Sequence, residues 1–264
     1  MAAMTPPASA DELDQAIGLV RDAARLAADA FHASTREVHH KPDGSVATPT
    51  DLAVEDHLRE HLRRHHPHDG VTGEERPPHT GTSGRRWIID PISGTHDFLH
   101  RVPLYSVDLA LEDAHGPAIA VTALPASDLV TAAGRGLGAW LLTGDQRLPA
   151  SPAAVSTRTD LAGAVVCVHG LAAWPTTLIT ALHRQCRPRD GVHSVQRLLT
   201  GRADAILATG LAYEDLACLP LLVDQAGGRV TDTTGRPVLS GDGTVLVTNG
   251  HLHDQFLALI GDNR

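Results

Sequence analysis

The sequence predicts a globular chain of mixed class, with an N-terminal α+β half over residues 1–149 and a C-terminal α/β half over 150–264. Three observations predict it. Apolar residues recur at helical spacing through the first 65 positions, strand-like apolar runs crowd residues 87–142, and strand and helix patterns alternate after Pro149. The chain has 264 residues, 42% of them hydrophobic and 20% charged, so it can bury one large core or two modest ones and is too apolar to be disordered.

In chain order, residues 11–32 place Leu13, Ile17, Val20, Ala24, Ala27 and Phe31 on one helical face, and Ser9 with Glu12 reads as an N-terminal capping box. Residues 41–49 read as a loop, followed by a second helix over 50–65 carrying Leu52, Glu55, Leu58 and Leu62. A Gly/Pro/Ser-rich loop over 70–84 leads into a buried strand (87–90), a tight turn (91–95) and a long strand (105–111). Further strands are expected at 119–124, 129–133 and 139–142. In the second half, strands are expected at 164–168, 205–208, 229–231 and 245–248, and helices near 175–186, 194–200, 213–226 and 251–260.

Composition narrows the function. The formal charge of −9 argues against a general nucleic-acid binder, and aromatics at 3% leave no stacking platform for single strands. Cys167, Cys186 and Cys218 are odd in number and widely spaced, which predicts reduced thiols and a cytoplasmic location. Residues 1–10 lack the basic and apolar regions of a signal peptide. The uncharged stretch 161–183 is interrupted by Gly163, Gly170 and Pro175, so it predicts core rather than a membrane span.

The chemistry lies in acids placed beside turns. Asp51 starts a helix, Glu74 and Glu75 follow Gly73, Asp90 ends the apolar run Trp87-Ile-Ile-Asp, and Asp215 opens a helix running into Ala226-Gly227-Gly228. A carboxylate ending a buried strand is costly unless it is paired or holds a metal, and several such acids suit Mg2+. A capping role competes with this reading at Asp51 and Asp215.

Together these stretches resemble the inositol monophosphatase superfamily. The resemblance rests on Lys41-Pro-Asp-Gly-Ser-Val through Thr50-Asp51, Gly73-Glu74-Glu75, Trp87-Ile-Ile-Asp-Pro-Ile-Ser-Gly-Thr-His-Asp-Phe98, Arg101-Val-Pro103, Gly134-Arg-Gly-Leu-Gly-Ala139 and Asp215-Leu-Ala217, in the family's order. It implies a layered αβαβα sandwich, Mg2+-dependent hydrolysis of a small phosphate monoester, and a homodimer; the composition above adds no nucleic-acid and no membrane partner. It also implies roles. Glu74, Asp90 and the Ile92 carbonyl would hold one metal, and Asp90, position 93 and Asp215 a second. Asp51 and Thr95, with Glu74, would serve the attacking water. Independently of the resemblance, Gly94 and Thr95 lie where a short helix over 95–99 is expected to begin, so their N–H groups, beside Ser93, would face the phosphate. His96 flanks the site and reads equally as a phosphate contact or a surface-loop histidine.

The chain departs from the family pattern where it matters. Ser93 stands where the family has aspartate, Glu214 where it has tryptophan, and Ala208 where an acid often contacts polyol hydroxyls. Ser93 weakens one metal position, so a diverged, non-hydrolytic enzyme or a non-catalytic pseudophosphatase are the competing readings. Asp97 or Asp108 is the candidate replacement carboxylate, against ordinary roles as a turn cap and a strand acid. His57, His61 and His65 share a helical face interleaved with arginines and read as solvated. Gly134–Gly138 reads as a β-turn rather than a dinucleotide loop, and Cys218 as core.

Overall fold

The computed structural model describes residues 5–32, 37–41, 44–144, 151–191 and 194–263. Pro42 and Asp43 of the quoted motif, part of the 1–10 segment and the 149/150 boundary lie outside these residues. The chain divides into two compact units, Met1–Ser151 and Pro152–Arg264.

In the first unit, α1 (Ala10–His32) buries Leu13, Ile17, Val20, Ala27 and Phe31 along one stripe. A short antiparallel pair, β1 (His39–His40) and β2 (Val46–Ala47), precedes α2 (Pro49–His65). The sheet follows as β3 (Gly70–Gly73), β4 (Arg86–Ser93), β5 (Ser106–Asp113), β6 (Gly116–Leu124), β7 (Leu129–Gly134), β8 (Gly138–Thr143) and the edge strand β9 (Ser151–Pro152), in that spatial order. Between β4 and β5 lies the short helix α3 (Thr95–Leu99).

One sheet face is apolar and packs beneath α1 and α2. Its central row is Ile89, Leu109, Val121 and Ala132, each with no exposed surface. Burying an Ile, Leu or Val fully contributes about 1.5–3 kcal/mol. On the opposite face the neighbouring row runs Asp90, Asp108, Thr122 and Thr131, polar yet buried on every strand. Phe31, Phe98 and Tyr105 form an aromatic triad, with ring centroids 4.9–5.6 Å apart, that anchors α3 to α1 and to the start of β5.

In the second unit a five-stranded sheet has the order β11-β10-β12-β14-β13: β10 (Val165–Val168), β11 (Arg187–Asp190), β12 (Ala205–Ala208), β13 (Arg229–Thr231) and β14 (Val245–Thr248). The helices are α4 (Thr176–Gln185), α5 (Val195–Leu198), α6 (Tyr213–Leu216), α7 (Leu219–Gln225) and α8 (His253–Gly261). A core of Val166, Val168, Leu182, Leu207, Leu246 and Phe256 joins α4 and α8 to the sheet. No helix among the described residues is long and apolar enough to cross a membrane.

Several elements differ from expectation. The stretch 70–84 was expected to be loop, but it opens with β3, paired in parallel with β4. Two glycines hide this strand from propensity, and Gly81 lets the loop lie against it: a Cβ there would fall 2.2 Å from the Gly70 nitrogen. Of the turn expected at 91–95, residues 91–93 instead continue β4 through an irregularity between Asp90 and Ser93, and the turn itself is confined to Gly94, before α3. The single helix at 213–226 is two, because Pro220 cannot continue a helix yet fits the first turn of α7. The helix at 194–200 shortens to one turn, and β11 was missed because Arg-Pro-Arg-Asp has no strand pattern and survives only as an edge strand.

The second unit carries a buried histidine whose wiring has a measurable consequence. His253 has no exposed surface and lies between Thr231 Oγ1 (2.9 Å from Nε2) and Thr248 Oγ1 (3.0 Å from Nδ1). The Thr231 hydroxyl donates to the Asp232 carbonyl, so it accepts from Nε2–H, and Thr248 donates to Nδ1. That network holds the neutral ring. Burial, with Arg229 adding to it and Asp254 opposing it, depresses the pKa to about 4. The unfolded chain therefore binds the extra proton first, so stability from this residue is intact above about pH 6.5 and is lost as the pH falls towards 4. Urea unfolding across this range should show a loss of about 3 kcal/mol from this residue. His253→Gln should flatten that slope, and an unchanged slope would contradict the wiring.

Candidate active site

The site elements of the first unit begin at the end of β4. Trp87, Ile88 and Ile89 are buried, and the strand then delivers Asp90, only 1% exposed. Asp90 faces Asp108 of β5 as its direct antiparallel partner, and beyond the irregularity Ser93 faces Ser106. Gly94, with φ 87°, takes the left-handed conformation that turns the chain into α3. Thr95 follows, its hydroxyl 3.0 Å from the Ile92 carbonyl and 3.1 Å from Asp51 Oδ1, so one proton is shared between two acceptors.

Asp51 is fully buried and is not the N-cap. Thr48 caps α2, and Asp51, three residues on, completes a capping box. Its Oδ2 accepts from the Thr48 N–H at 2.8 Å and from the Thr48 hydroxyl at 2.5 Å. Burial raises its pKa above the ordinary aspartate value, against the hydrogen bonds from Thr48 and Thr95. Asp215 repeats the device in the second unit: its Oδ2 accepts from the Ala212 N–H at 2.8 Å, again from the third position of a helix. In both cases an acid at the third position, rather than at the cap, has one oxygen tied to the backbone.

Glu74 and Glu75 share Lys41, whose Nζ lies 2.8 Å from Glu74 Oε1 and 2.5 Å from Glu75 Oε1. Burial lowers the lysine pKa, but hydrogen bonds to the two glutamates outweigh it and hold the ammonium well above its ordinary range. Burial raises the Glu75 pKa against the Lys41 bond. The loop itself hangs on Glu55, which has no exposed surface. Its carboxylate accepts from the N–H groups of Glu75 (2.7 Å) and Arg76 (3.1 Å) and from Arg59 Nε (2.6 Å). Sequence reasoning placed Glu55 among the periodic helix positions without a role. The available signal was an acid inside a stripe of buried leucines, which requires a partner.

The remaining residues are plainly placed. His96 is exposed, its ring tilted against that of His100 with centroids 4.1 Å apart, and Asp97 is partly exposed in α3. Of the three histidines expected to be solvated, only His65 is exposed; His57 and His61 are half-buried, and His61 stacks on His65 at 4.1 Å, while Cys218 is buried between α6 and α7. Ala208 ends β12, buried. Among the described residues, no three acid, histidine or cysteine side chains converge closely enough to form a metal nest. The donors brought together around β4 are nevertheless all hard oxygens: Asp90, the Ile92 carbonyl, Ser93 and Asp51, with no thiolate or imidazole. That chemistry fits a divalent cation such as Mg2+.

The model of the inositol monophosphatase family matches residues 9–263. The chain belongs to the inositol monophosphatase family. It is 32% identical to a histidinol-phosphatase of Mycobacterium tuberculosis, over 94% of this chain and 97% of that one. It is 30% identical to a histidinol-phosphatase of Chlorobaculum parvum, over 98% of each. The extragenic suppressor protein suhB of Bartonella henselae has the same fold, with TM-score 0.85 and 22% identity over 97% of this chain and all of that one. A Thermotoga maritima IMPase aligns at TM-score 0.82 and 24% identity, over 96% and 97%. The layered α+β fold expected for this family is thus present, and the named relatives place this member among phosphoric monoester hydrolases.

The Glu55 support yields a sharp test. A Cβ at Gly73 would stand 2.3 Å from Glu55 Oε1, so Gly73→Ala must push the carboxylate off its backbone donors. Chemical denaturation should show a loss of about 3 kcal/mol, the scale of a disrupted buried charged hydrogen-bond set. In contrast Gly18→Ala, in α1 with nothing within 4 Å of the added carbon, should gain about 1 kcal/mol. Equal effects at the two positions would contradict the role given to Glu55.

Proposed function

We propose that this family member hydrolyses a small phosphate monoester with Mg2+ as cofactor. In this reading Glu74, Asp90 and the Ile92 carbonyl would hold one cation, and Ser93 would stand beside Asp90 at a second. When bound, such cations make water a stronger nucleophile and offset charge on the phosphoryl oxygens.

The protein's own groups do the rest. The observation that carries the reading is the Thr95 hydroxyl, which joins Asp51 to the Ile92 carbonyl beside the acid-bearing end of β4. Asp51, buried with a raised pKa, holds the attacking water and takes up its proton, while Thr95 fixes its orientation. Backbone N–H groups of Gly94 and Thr95 receive phosphoryl oxygens at the left-handed turn, with His96 at the rim. Lys41 offsets the repulsion between Glu74 and Glu75.

Histidinol phosphate is the first substrate to test, because relatives matching over nine-tenths or more of the chain are histidinol-phosphatases. Ala208, buried and without a carboxylate, supports an alcohol other than an inositol. Ser93 is the one observation favouring a second reading, a member that binds a phosphorylated ligand without hydrolysing it.

Phosphate release from histidinol phosphate, inositol phosphate and simpler monoesters separates the readings. The expected result is release that requires a divalent cation and falls by about a hundredfold or more in Asp90→Asn. A silent wild type beside an active Ser93→Asp variant would overturn hydrolysis as the native function.

A further inference from the structure

We infer that Asp108 supplies the carboxylate that Ser93 lacks, acting as a cation ligand from the adjacent strand. The inference rests on the proposed reading that this site takes divalent cations. Its geometry comes from the β4–β5 register. Cα partners in an antiparallel pair point their side chains to the same face, so Asp90 and Asp108 stand side by side. Their Cβ atoms are expected about 4.5–5.5 Å apart.

Ser93 lies three positions after Asp90, which in a regular strand would put the two on opposite faces. Their β5 partners, Asp108 and Ser106, are only two apart, so the irregularity in β4 restores Ser93 to the face of Asp90. Asp90, Ser93, Ser106 and Asp108 thus form one patch, with Asp108 the diagonal neighbour of Ser93. Two carboxylates sharing a cation place their oxygens roughly 3 Å apart, since each sits about 2.1 Å from Mg2+. Side chains on directly opposed residues reach that spacing without moving the backbone.

Electrostatics points the same way. Asp108 is 7% exposed and Asp90 1%, in a sheet position where like charges directly opposite are unfavourable. The neighbour of Asp108 on β6 is Thr122, a buried hydroxyl side chain on the same face. A cation between the two carboxylates offsets their repulsion. Asp97 lacks these features: it is partly exposed, lies on α3, and has His96 Nδ1 4.0 Å away.

Mn2+ binding by calorimetry, together with thermal melting of the metal-free protein, tests the inference. Asp108→Asn should weaken Mn2+ binding about tenfold or more. Ser93→Asp added to that variant should recover most of the loss, and Asp97→Asn should bind as wild type. The metal-free Asp108→Asn protein should melt at the same or a higher temperature, because it loses a like-charged neighbour. Unchanged Mn2+ affinity in Asp108→Asn, no recovery on adding Ser93→Asp, an equal loss in Asp97→Asn, or a clearly lower metal-free melting temperature would each overturn the inference. A wild type that binds no Mn2+ would overturn both this inference and the cation-dependent function, whereas the other failures leave that function standing.

Discussion

Carboxyl groups buried side by side are the constraint on which this site is built. Asp90 and Asp108 face each other across the adjacent strands β4 and β5, both nearly inaccessible, and Asp51 is fully enclosed in the first turn of α2. Burying a carboxylate is costly, and burying two together more so, unless positive charge or directed hydrogen bonds offset it. The apolar face of the same sheet, packed under α1 and α2, supplies the burial energy that holds such an arrangement in place.

The supporting structure works by giving each acid a fixed orientation. Asp51 and Asp215 reach back to a backbone N–H three residues earlier, which fixes one oxygen and thereby aims the other. Glu55 grips the backbone after Glu74, and Lys41 balances Glu74 against Glu75. Thr95 ties α2 to the turn after β4, and the Phe31–Phe98–Tyr105 triad keeps α3 from drifting. Preorganisation of this kind spares a reaction the cost of assembling its charges.

Much of this was legible in the sequence, for identifiable reasons. The long amphipathic helix α1 and strands β4 to β8 carry strong periodic signals, and the acids announce themselves by sitting beside turns in apolar surroundings. Elements defined by tertiary pairing were not legible. β3 is glycine-rich and β11 charged, so neither shows a strand pattern without its neighbour. The exact register of β4 against β5 was also hidden, because the irregularity after Asp90 changes which residues share a face. That register separates Asp108 from Asp97 as the companion of Asp90, a choice that spacing along the chain leaves open.

The central claim is that this acid-lined end of β4 gathers cations around a phosphoryl group. Anomalous diffraction from crystals grown with Mn2+ and inorganic phosphate tests it most directly. The account predicts a manganese peak within roughly 2.0–2.4 Å of an Asp90 carboxylate oxygen, with phosphate bound to the same ion. Ordered phosphate with every manganese peak farther than about 6 Å from Asp90 would contradict it, since direct ligands lie near 2.1 Å.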